Sequence, residues 1–274
     1  MRLYCFGPGY SARALGRLLS ARGWQVAGSS RADFAEPGAA LDEATHILVS
    51  VPPDEEGDPT LRLHADRLRR LRPAWVGYLS TTGVYGDHGG GWVDEETPLN
   101  PVNARGRRRV EAEAAWLDTG LPVELFRLSA IYGPGRSAID QMLAGTARRI
   151  VKPGQVFNRI HVEDIAAVLA AAIDRPAPGA VYNLADDEPA PPQDVVAYAA
   201  HLLGRAPPPE LPFPAAGLSV MAASFYAENK RVRNARIKAL LGRGLRYPTY
   251  REGLYAIAAT AVRNSARSAA EDSL

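Results

Sequence analysis

The chain has 274 residues, of which 46% are hydrophobic and 23% charged, with a formal net charge of +2 at pH 7. This length fits one large globular domain, or one domain with a smaller lobe, and the near-neutral charge argues against a broad nucleic-acid surface. The single cysteine, Cys5, excludes an intramolecular disulfide framework. The sequence shows no signal-peptide pattern and no apolar run long enough to cross a bilayer, so we expect a cytoplasmic protein without a membrane partner.

A glycine-rich turn follows the first predicted strand, at residues 3–6. Gly7 would permit the tight turn, and Gly9 would let the backbone approach a pyrophosphate at the N-terminus of the next helix. Ala12 takes the place of a third glycine, where a small side chain allows close packing of helix and strand. We therefore predict a dinucleotide site that contains Gly7, Gly9, Tyr10, Ser11 and Ala12. The alternative is a tight turn that binds nothing.

Strand and helix patterns alternate over the first two thirds of the chain. Further strands are predicted at residues 25–27, 46–51, 75–79, 123–128 and 180–184. Helices are predicted at residues 61–71, 102–117 and 162–173. This alternation predicts an α/β fold, a Rossmann-type doubly wound parallel sheet that binds its ligands at the carboxyl ends of the strands.

Proline-rich sequence after Asp186 ends the alternation. Helices near residues 194–203 and 232–241 indicate a small, mostly helical substrate lobe. We place the dinucleotide-binding domain at residues 1–185, with residues 133–157 contributing to the lobe, and the lobe itself at residues 186–264. Residues 265–274 are expected to form a frayed tail.

The residues after the second strand favour NADP over NAD. An NAD site usually carries Asp or Glu about 20 residues beyond the glycines, to bind the ribose 2′-hydroxyl. Here Ser29, Ser30 and Arg31 occupy that place, and an arginine with serine neighbours would hold a 2′-phosphate. Alternatively, Asp33 serves the ribose, Arg31 is an ordinary loop residue, and NAD binds.

Four motifs stand in order along the chain: LSTTGVYG at residues 79–86, RLSAIYGPG at 127–135, FNRIHVEDI at 157–165 and YNLAD at 182–186. Together they resemble the extended short-chain dehydrogenases/reductases, and more narrowly the NAD-dependent epimerase/dehydratase family. The resemblance covers residues 1–187 and weakens in the last third. It implies that Ser80, Val51 and Pro52 lie beside the cofactor.

In that family a Ser or Thr, a Tyr and a Lys carry the chemistry, and the resemblance implies that Thr81 is the first of these. Aligned on Glu113, Arg105 stands in the place of the Tyr and Arg109 in the place of the Lys. A guanidinium stays protonated, so Arg105 cannot act as an acid or base. Arg109 could still hold the nicotinamide ribose, and Arg105 could bind substrate or developing negative charge. The chain therefore resembles atypical members that lack the usual tyrosine.

Other proton carriers are conceivable at Tyr85, Tyr132 and His88, but we interpret each as a loop residue, and His161 as a helix-entry residue. The arginine cluster at residues 105–109 has three interpretations: a solvated helix face, a clamp for an anionic substrate, or a nucleic-acid contact. The lack of interleaved aromatic residues disfavours the last.

We therefore expect an oxidoreductase or epimerase that transfers hydride between NADP(H) and a small, anionic, nucleotide-sugar-like substrate. The alternatives are a non-catalytic NADP(H)-binding redox sensor and an inert relic of the family. The expected partner is a small molecule, with no nucleic acid, and a homodimer is left open. No metal site is predicted.

Overall fold

The computed structural model of the chain describes residues 1–271, without the side chains of residues 262 and 264–271. Twelve strands are found in the described residues: β1 Arg2–Phe6, β2 Gln25–Ser29, β3 His46–Val49, β4 Trp75–Thr81, β5 Trp92–Val93, β6 Val123–Leu128, β7 Ala130–Tyr132, β8 Arg149–Val151, β9 Arg159–His161, β10 Val181–Leu184, β11 Glu210–Pro212 and β12 Arg231–Val232. The same residues form ten α-helices: α1 Tyr10–Ser20, α2 Ala39–Asp42, α3 Pro59–Leu71, α4 Ala104–Leu117, α5 Ala138–Leu143, α6 Val162–Asp174, α7 Pro192–Leu202, α8 Val220–Phe225, α9 Ala235–Leu241 and α10 Tyr250–Glu271.

Six strands form one parallel sheet in the order β10-β6-β4-β3-β1-β2. The order reverses beside β1, because the chain places β2 on one side of it and β3 on the other. All carboxyl ends lie at one edge of the sheet, and such a reversal point is where open α/β sheets bind ligands. The predicted Rossmann-type α/β fold is confirmed.

Alternate residues of the strands bury against helices on opposite faces of this sheet. Leu3 and Cys5 of β1 pack with α1 and α6, whereas Tyr4 and Phe6 pack with α3 and α4. Burial raises the pKa of the Cys5 thiol to about 12, as suits a packing residue. Since both faces are covered, a strand such as β3 is buried at every position.

The remaining short strands pair outside the main sheet: β7 with β9, β8 with β11, and β5 with β12. α5, α7 and α10 enclose a separate apolar cluster that includes Ile139, Val196 and Leu254. No helix in the described part of the chain has the length and apolar character needed to cross a membrane.

The structure departs from the sequence predictions at several elements. The third strand ends at Val49 rather than residue 51, because Pro52 and Pro53 follow and lack an N–H for the ladder. The helix predicted at 232–241 begins at Ala235, since Val232 pairs with Val93 in a strand. α10 was not predicted. The predicted tail, residues 265–274, overlaps the end of α10, and residues 272–274 lie outside the described residues. The predicted domain boundaries stay predictions.

Candidate functional site

The glycine turn between β1 and α1 has the conformation that only glycine adopts readily. Gly7 has φ of +78°, and a Cβ there would stand 2.8 Å from Cγ2 of Val51. Its N–H donates to the carbonyl oxygen of Ser29 at 3.0 Å, which fixes the turn against β2. Gly9 is the N-cap of α1 and supplies no side-chain cap. The first-turn N–H groups of α1 are therefore open to an anion.

At the end of β2, Ser30 and Asp33 form a closed turn. The backbone N–H and the hydroxyl of Ser30 both donate to Oδ1 of Asp33, at 2.7 and 2.8 Å, and these bonds lower the pKa of that carboxyl. Ser29 is fully buried. The side chain of Arg31 is exposed and forms no hydrogen bond or ion pair with any residue that the structure describes. Arg31 is thus available to a ligand, whereas one oxygen of Asp33 is already engaged.

A cleft of about 490 Å³ opens at the carboxyl edge of the sheet. It is lined by seven of the predicted site residues: Gly9, Tyr10, Ser11, Ser80, Thr81, Arg105 and Arg109. The other seven lie outside its wall: Gly7, Ala12, Ser29, Ser30, Arg31, Val51 and Pro52. Ala12 is buried between α1 and the sheet, Val51 is half-buried, and Pro52 is exposed in the loop after β3.

Thr81 and Arg109 lie at the end of β4. Thr81 is its last residue, and its hydroxyl oxygen accepts the N–H of Gly83 at 3.1 Å. Nη1 of Arg109 donates to the hydroxyl of Tyr78 at 2.8 Å and to the carbonyl of Leu79 at 2.9 Å. Burial raises the pKa of Tyr78, so this phenol stays neutral and acts as a fixed acceptor. Arg109 is thereby held at the cleft wall with its other N–H groups unbonded to described residues.

The arginine cluster does not converge on one point. Arg105 is exposed, with its guanidinium 4.6 Å from the ring centre of Phe225 in α8. Arg108 donates instead to Glu55 at 3.2 Å, outside the cleft, and Arg107 is exposed. Only Arg105 and Arg109 of this cluster line the cleft.

The other residues weighed as proton carriers, Tyr85, Tyr132 and His88, lie outside the cleft wall, as does the helix-entry residue His161; Nε2 of His88 is 3.1 Å from the carbonyl oxygen of Tyr85. Tyr85 is fully buried, accepts from Arg127 at 2.9 Å and donates to Asn183 at 2.8 Å. The hydroxyl of Tyr132 donates to the carbonyl of Thr249 at 3.3 Å. His161 is the N-cap of α6, and burial lowers its pKa to about 4, so it is neutral near pH 7. These positions agree with the interpretation of Tyr85, Tyr132 and His161 as structural residues.

A buried ion pair supports the wall beneath Thr81. Arg127 of β6 donates to both carboxylate oxygens of Glu113 in α4, at 2.7 to 3.2 Å. The hydroxyl of Ser80 donates to the same carboxylate at 2.5 Å. β4, β6 and α4 are therefore tied together directly behind the cleft.

Three charged residues of the cleft were missed by the sequence analysis: Arg136, Glu228 and Lys230. Lys230 and Glu228 form an ion pair of 2.6 Å, with both side chains largely buried. Lys230 also donates to the carbonyl of Gly86 at 2.8 Å, and Glu228 accepts from Asn103 at 2.9 Å. They lie between α8 and β12, where no periodic pattern or motif marks them. Their place in the cleft depends on contacts distant in the chain.

The ionisable groups that line the cleft differ in what they can do with a proton. Arginine does not exchange one near neutral pH, which removes Arg105, Arg109 and Arg136 from consideration. The hydroxyl of Tyr10 donates to the carbonyl of Pro134 at 2.9 Å, and burial raises its pKa. Lys230 has three N–H bonds, of which two are used, so one is left for a ligand.

Comparison with known proteins agrees with this geometry. The model of the NAD dependent epimerase/dehydratase family matches residues 60–185. Protein YeeZ of Escherichia coli (strain K12) is 32% identical over 236 residues, which are 74% of this chain and 84% of that protein. A solved structure of a functionally unknown conserved protein from Silicibacter pomeroyi DSS is 53% identical, with a TM-score of 0.87, over 95% of this chain and 99% of that one. The human epimerase family protein SDR39U1 (isoform 2), solved with NADPH, shares the fold at 22% identity and a TM-score of 0.74, over 94% and 99% of the two chains.

Proposed function

This chain belongs to the NAD dependent epimerase/dehydratase family, and we propose that it is an oxidoreductase that uses NADP(H) on a small, anionic substrate. The observation that carries the cofactor choice is Arg31, exposed and unbonded among the described residues at the end of β2. A 2′-phosphate would form charge-assisted hydrogen bonds with it. The human relative SDR39U1, which was solved with NADPH, agrees with this choice.

The residues present fit a dinucleotide. The uncapped N-terminus of α1 offers backbone N–H groups to a pyrophosphate, and Gly9 has no side chain to stand in front of them. Gly7, Tyr10, Ser11 and Ala12 belong to the same turn. Ser30, Val51 and Pro52 would border the adenosine, and Ser80 the nicotinamide end. Ser29 was also predicted to contact the cofactor, but it is fully buried and offers no surface to a ligand. When bound, the nicotinamide supplies or takes up a hydride.

The chain's own groups would then orient the substrate. Thr81 would donate its hydroxyl proton to the reacting oxygen, because the Gly83 N–H already occupies one of its acceptor positions. Arg109 would hold ribose hydroxyls with its unused N–H groups. Arg105, at the cleft wall beside Phe225, would bind the anionic part of the substrate, such as the phosphates of a nucleotide sugar.

Lys230 is the residue that we propose as the proton carrier in place of the family tyrosine. It would hold a proton at Nζ and donate it to the substrate oxygen during reduction. Glu228 would keep the ammonium positioned through the 2.6 Å contact. Replacing Lys230 with Met should leave the dissociation constant of NADPH within about twofold while abolishing NADPH oxidation by any carbonyl substrate found in a screen.

A redox sensor without catalysis is the second candidate, and the arginine in place of the family tyrosine favours it. Substrate turnover distinguishes the two functions. An enzyme oxidises NADPH with its substrate and loses this activity in Lys230→Met, whereas a sensor binds NADPH and shows no hydride transfer in either the wild type or the variant. The cytoplasmic location stays a prediction, and the homodimer stays an open alternative.

Fluorescence titration with NADPH and NADH tests the proposal. Wild-type protein should prefer NADPH, and Arg31→Ala should reduce that preference about tenfold or more through loss of charge-assisted bonds. Arg69→Ala is the matched control, because Arg69 is an exposed arginine of α3 that pairs only with Asp66 among the described residues, at 2.9 Å. If neither nucleotide binds, the glycine turn is architecture only and the oxidoreductase proposal is wrong.

A further inference from the structure

A second cavity, of about 600 Å³, adjoins the cleft. Ala130, Ile131 and Arg136 line both spaces, so the segment after β6 forms the partition between them. Residues of α5, α7 and α10 complete its wall. Part of that wall is apolar, with Val195, Val196 and Leu254 among its residues. The proposed hydride transfer assigns nothing to this space.

Arg159 is the least exposed of the three arginines that line the second cavity, and it is half-buried. Its Nη1 donates to the carbonyl oxygens of Phe157 at 2.9 Å and Ala190 at 3.2 Å. Its Nε and Nη2 form no hydrogen bond, and no carboxylate lies within 4.0 Å of it, among the described residues. Burial lowers the pKa of Arg159, which expresses the cost of keeping this cation out of water. A partly desolvated guanidinium without a carboxylate partner is stabilised by an anion that completes its hydrogen bonds.

Two more arginines face the same space. Arg136 and Arg148 are exposed residues of its wall, and Arg148 is held by a hydrogen bond to the carbonyl of Ala216. Three guanidinium groups therefore surround one cavity. Planar guanidinium forks match carboxylate and phosphate groups, which accept two parallel N–H bonds.

The acidic groups nearby do not neutralise this charge. Asp140 is the one carboxylate of the wall among the described residues, so it offsets only one of the three positive charges; its oxygens accept from the N–H of Gly135 at 3.2 Å and the hydroxyl of Ser137 at 2.5 Å. Asp186 acts on Arg159 from beyond ion-pair distance. Burial raises the pKa of Asp186 well above its ordinary range, which favours its neutral form. The cavity thus keeps an excess of positive charge.

We propose that the second cavity binds an organic anion: a carboxylate or phosphate group on an apolar body. The anionic group would lie on Arg159 and Arg148. The body would pack against Val195, Val196 and Leu254 of the wall. This inference does not depend on the proposed hydride transfer, because the cavity shares only Ala130, Ile131 and Arg136 with the cleft.

Isothermal titration with phenyl phosphate tests the inference, since this probe combines a dianion with an apolar ring. The titration is run with NADPH present in excess, so that a phosphate site at the glycine turn is filled. Wild-type protein should bind one equivalent. Arg159→Gln and Arg148→Gln should each weaken binding about tenfold or more. The control is Arg149→Gln, which removes the neighbouring arginine, paired with Glu210 at 3.0 Å and absent from the cavity wall; it should change affinity less than about twofold.

Absence of binding up to about 10 mM phenyl phosphate, or equal weakening by all three variants, would overturn the inference. Circular dichroism checks that each variant folds. If Arg159→Gln does not fold, Arg148→Gln decides, because the Arg148 side chain is exposed. NADPH affinity should be the same in all variants. If the wild type does not bind NADPH but does bind phenyl phosphate, and Arg148→Gln weakens that binding, the proposed function is wrong and the anion site is still supported.

Discussion

Removal of Arg127 from its buried pair with Glu113 should be strongly destabilising. Side-chain exposure is 6% for Arg127 and 4% for Glu113, so neither charge is solvated in the native state. Arg127→Met leaves the Glu113 carboxylate with Ser80 as its only remaining side-chain donor among the described residues. Breaking a buried pair from one side typically costs about 3–5 kcal/mol of unfolding free energy, because the other charge stays buried and uncompensated.

Urea unfolding of four proteins measures this effect: wild type, Arg127→Met, Glu113→Met and the double variant. The double variant should be more stable than either single variant, since two methionines leave no unpaired charge. Arg108→Met is the control, on a pair that water reaches: side-chain exposure is 34% for Arg108 and 87% for its partner Glu55, and we expect a loss of about 0.5 kcal/mol or less. A loss below about 1 kcal/mol for Arg127→Met, or a double variant less stable than both single ones, would refute the reasoning.

Three further predictions concern stability. Gly7→Ala should lower the free energy of unfolding by about 1–2 kcal/mol more than Gly23→Ala does. Both glycines have positive φ, but only at Gly7 would the new Cβ stand 2.8 Å from a neighbouring atom. Thermal unfolding of the two variants measures the difference. Asp58→Ala should cost about 1–2 kcal/mol, since its carboxylate caps α3 by accepting from Thr60 and Leu61 at 2.9 and 3.1 Å, and urea unfolding at pH 7 checks this. Because burial lowers the pKa of His161 from 6.5 to about 4, stability should be complete above pH 6.5, fall by roughly 3 kcal/mol as the pH drops from 6.5 to 4, and change no further through this group at lower pH. His161→Asn keeps a capping side chain and should flatten that pH dependence, whereas an unchanged profile would contradict the assignment.

The main sheet could be predicted because its signals are local. The run Ile47-Leu48-Val49 is apolar at every position, which is typical of a strand buried on both faces. The glycine turn likewise follows from residues adjacent in sequence. By contrast, β5 and β12 have two residues each and exist because they pair with one another, with Arg231 opposite Trp92. Strands this short carry no periodicity that a sequence pattern could show.

The candidate site likewise contains residues that the sequence could predict and residues that it could not. Thr81, Arg105 and Arg109 were found from a family motif and do line the cleft. Lys230 could not be found, because its contact with Gly86 joins residues 144 positions apart. No motif or helical spacing predicts such a contact from the sequence alone.

The placement of Lys230 has a consequence for the proposed reaction. In the usual family pattern, the proton carrier and the ribose-binding residue stand one turn apart on a single helix. Here Arg109 is on α4, whereas Lys230 precedes β12. Three contacts fix that segment against the sheet domain: Glu228 with Asn103 at 2.9 Å, Asn229 with Asp87 at 2.7 Å and Lys230 with Gly86 at 2.8 Å. Loosening this segment should therefore remove proton transfer before it affects dinucleotide binding, a separation that a single catalytic helix could not produce.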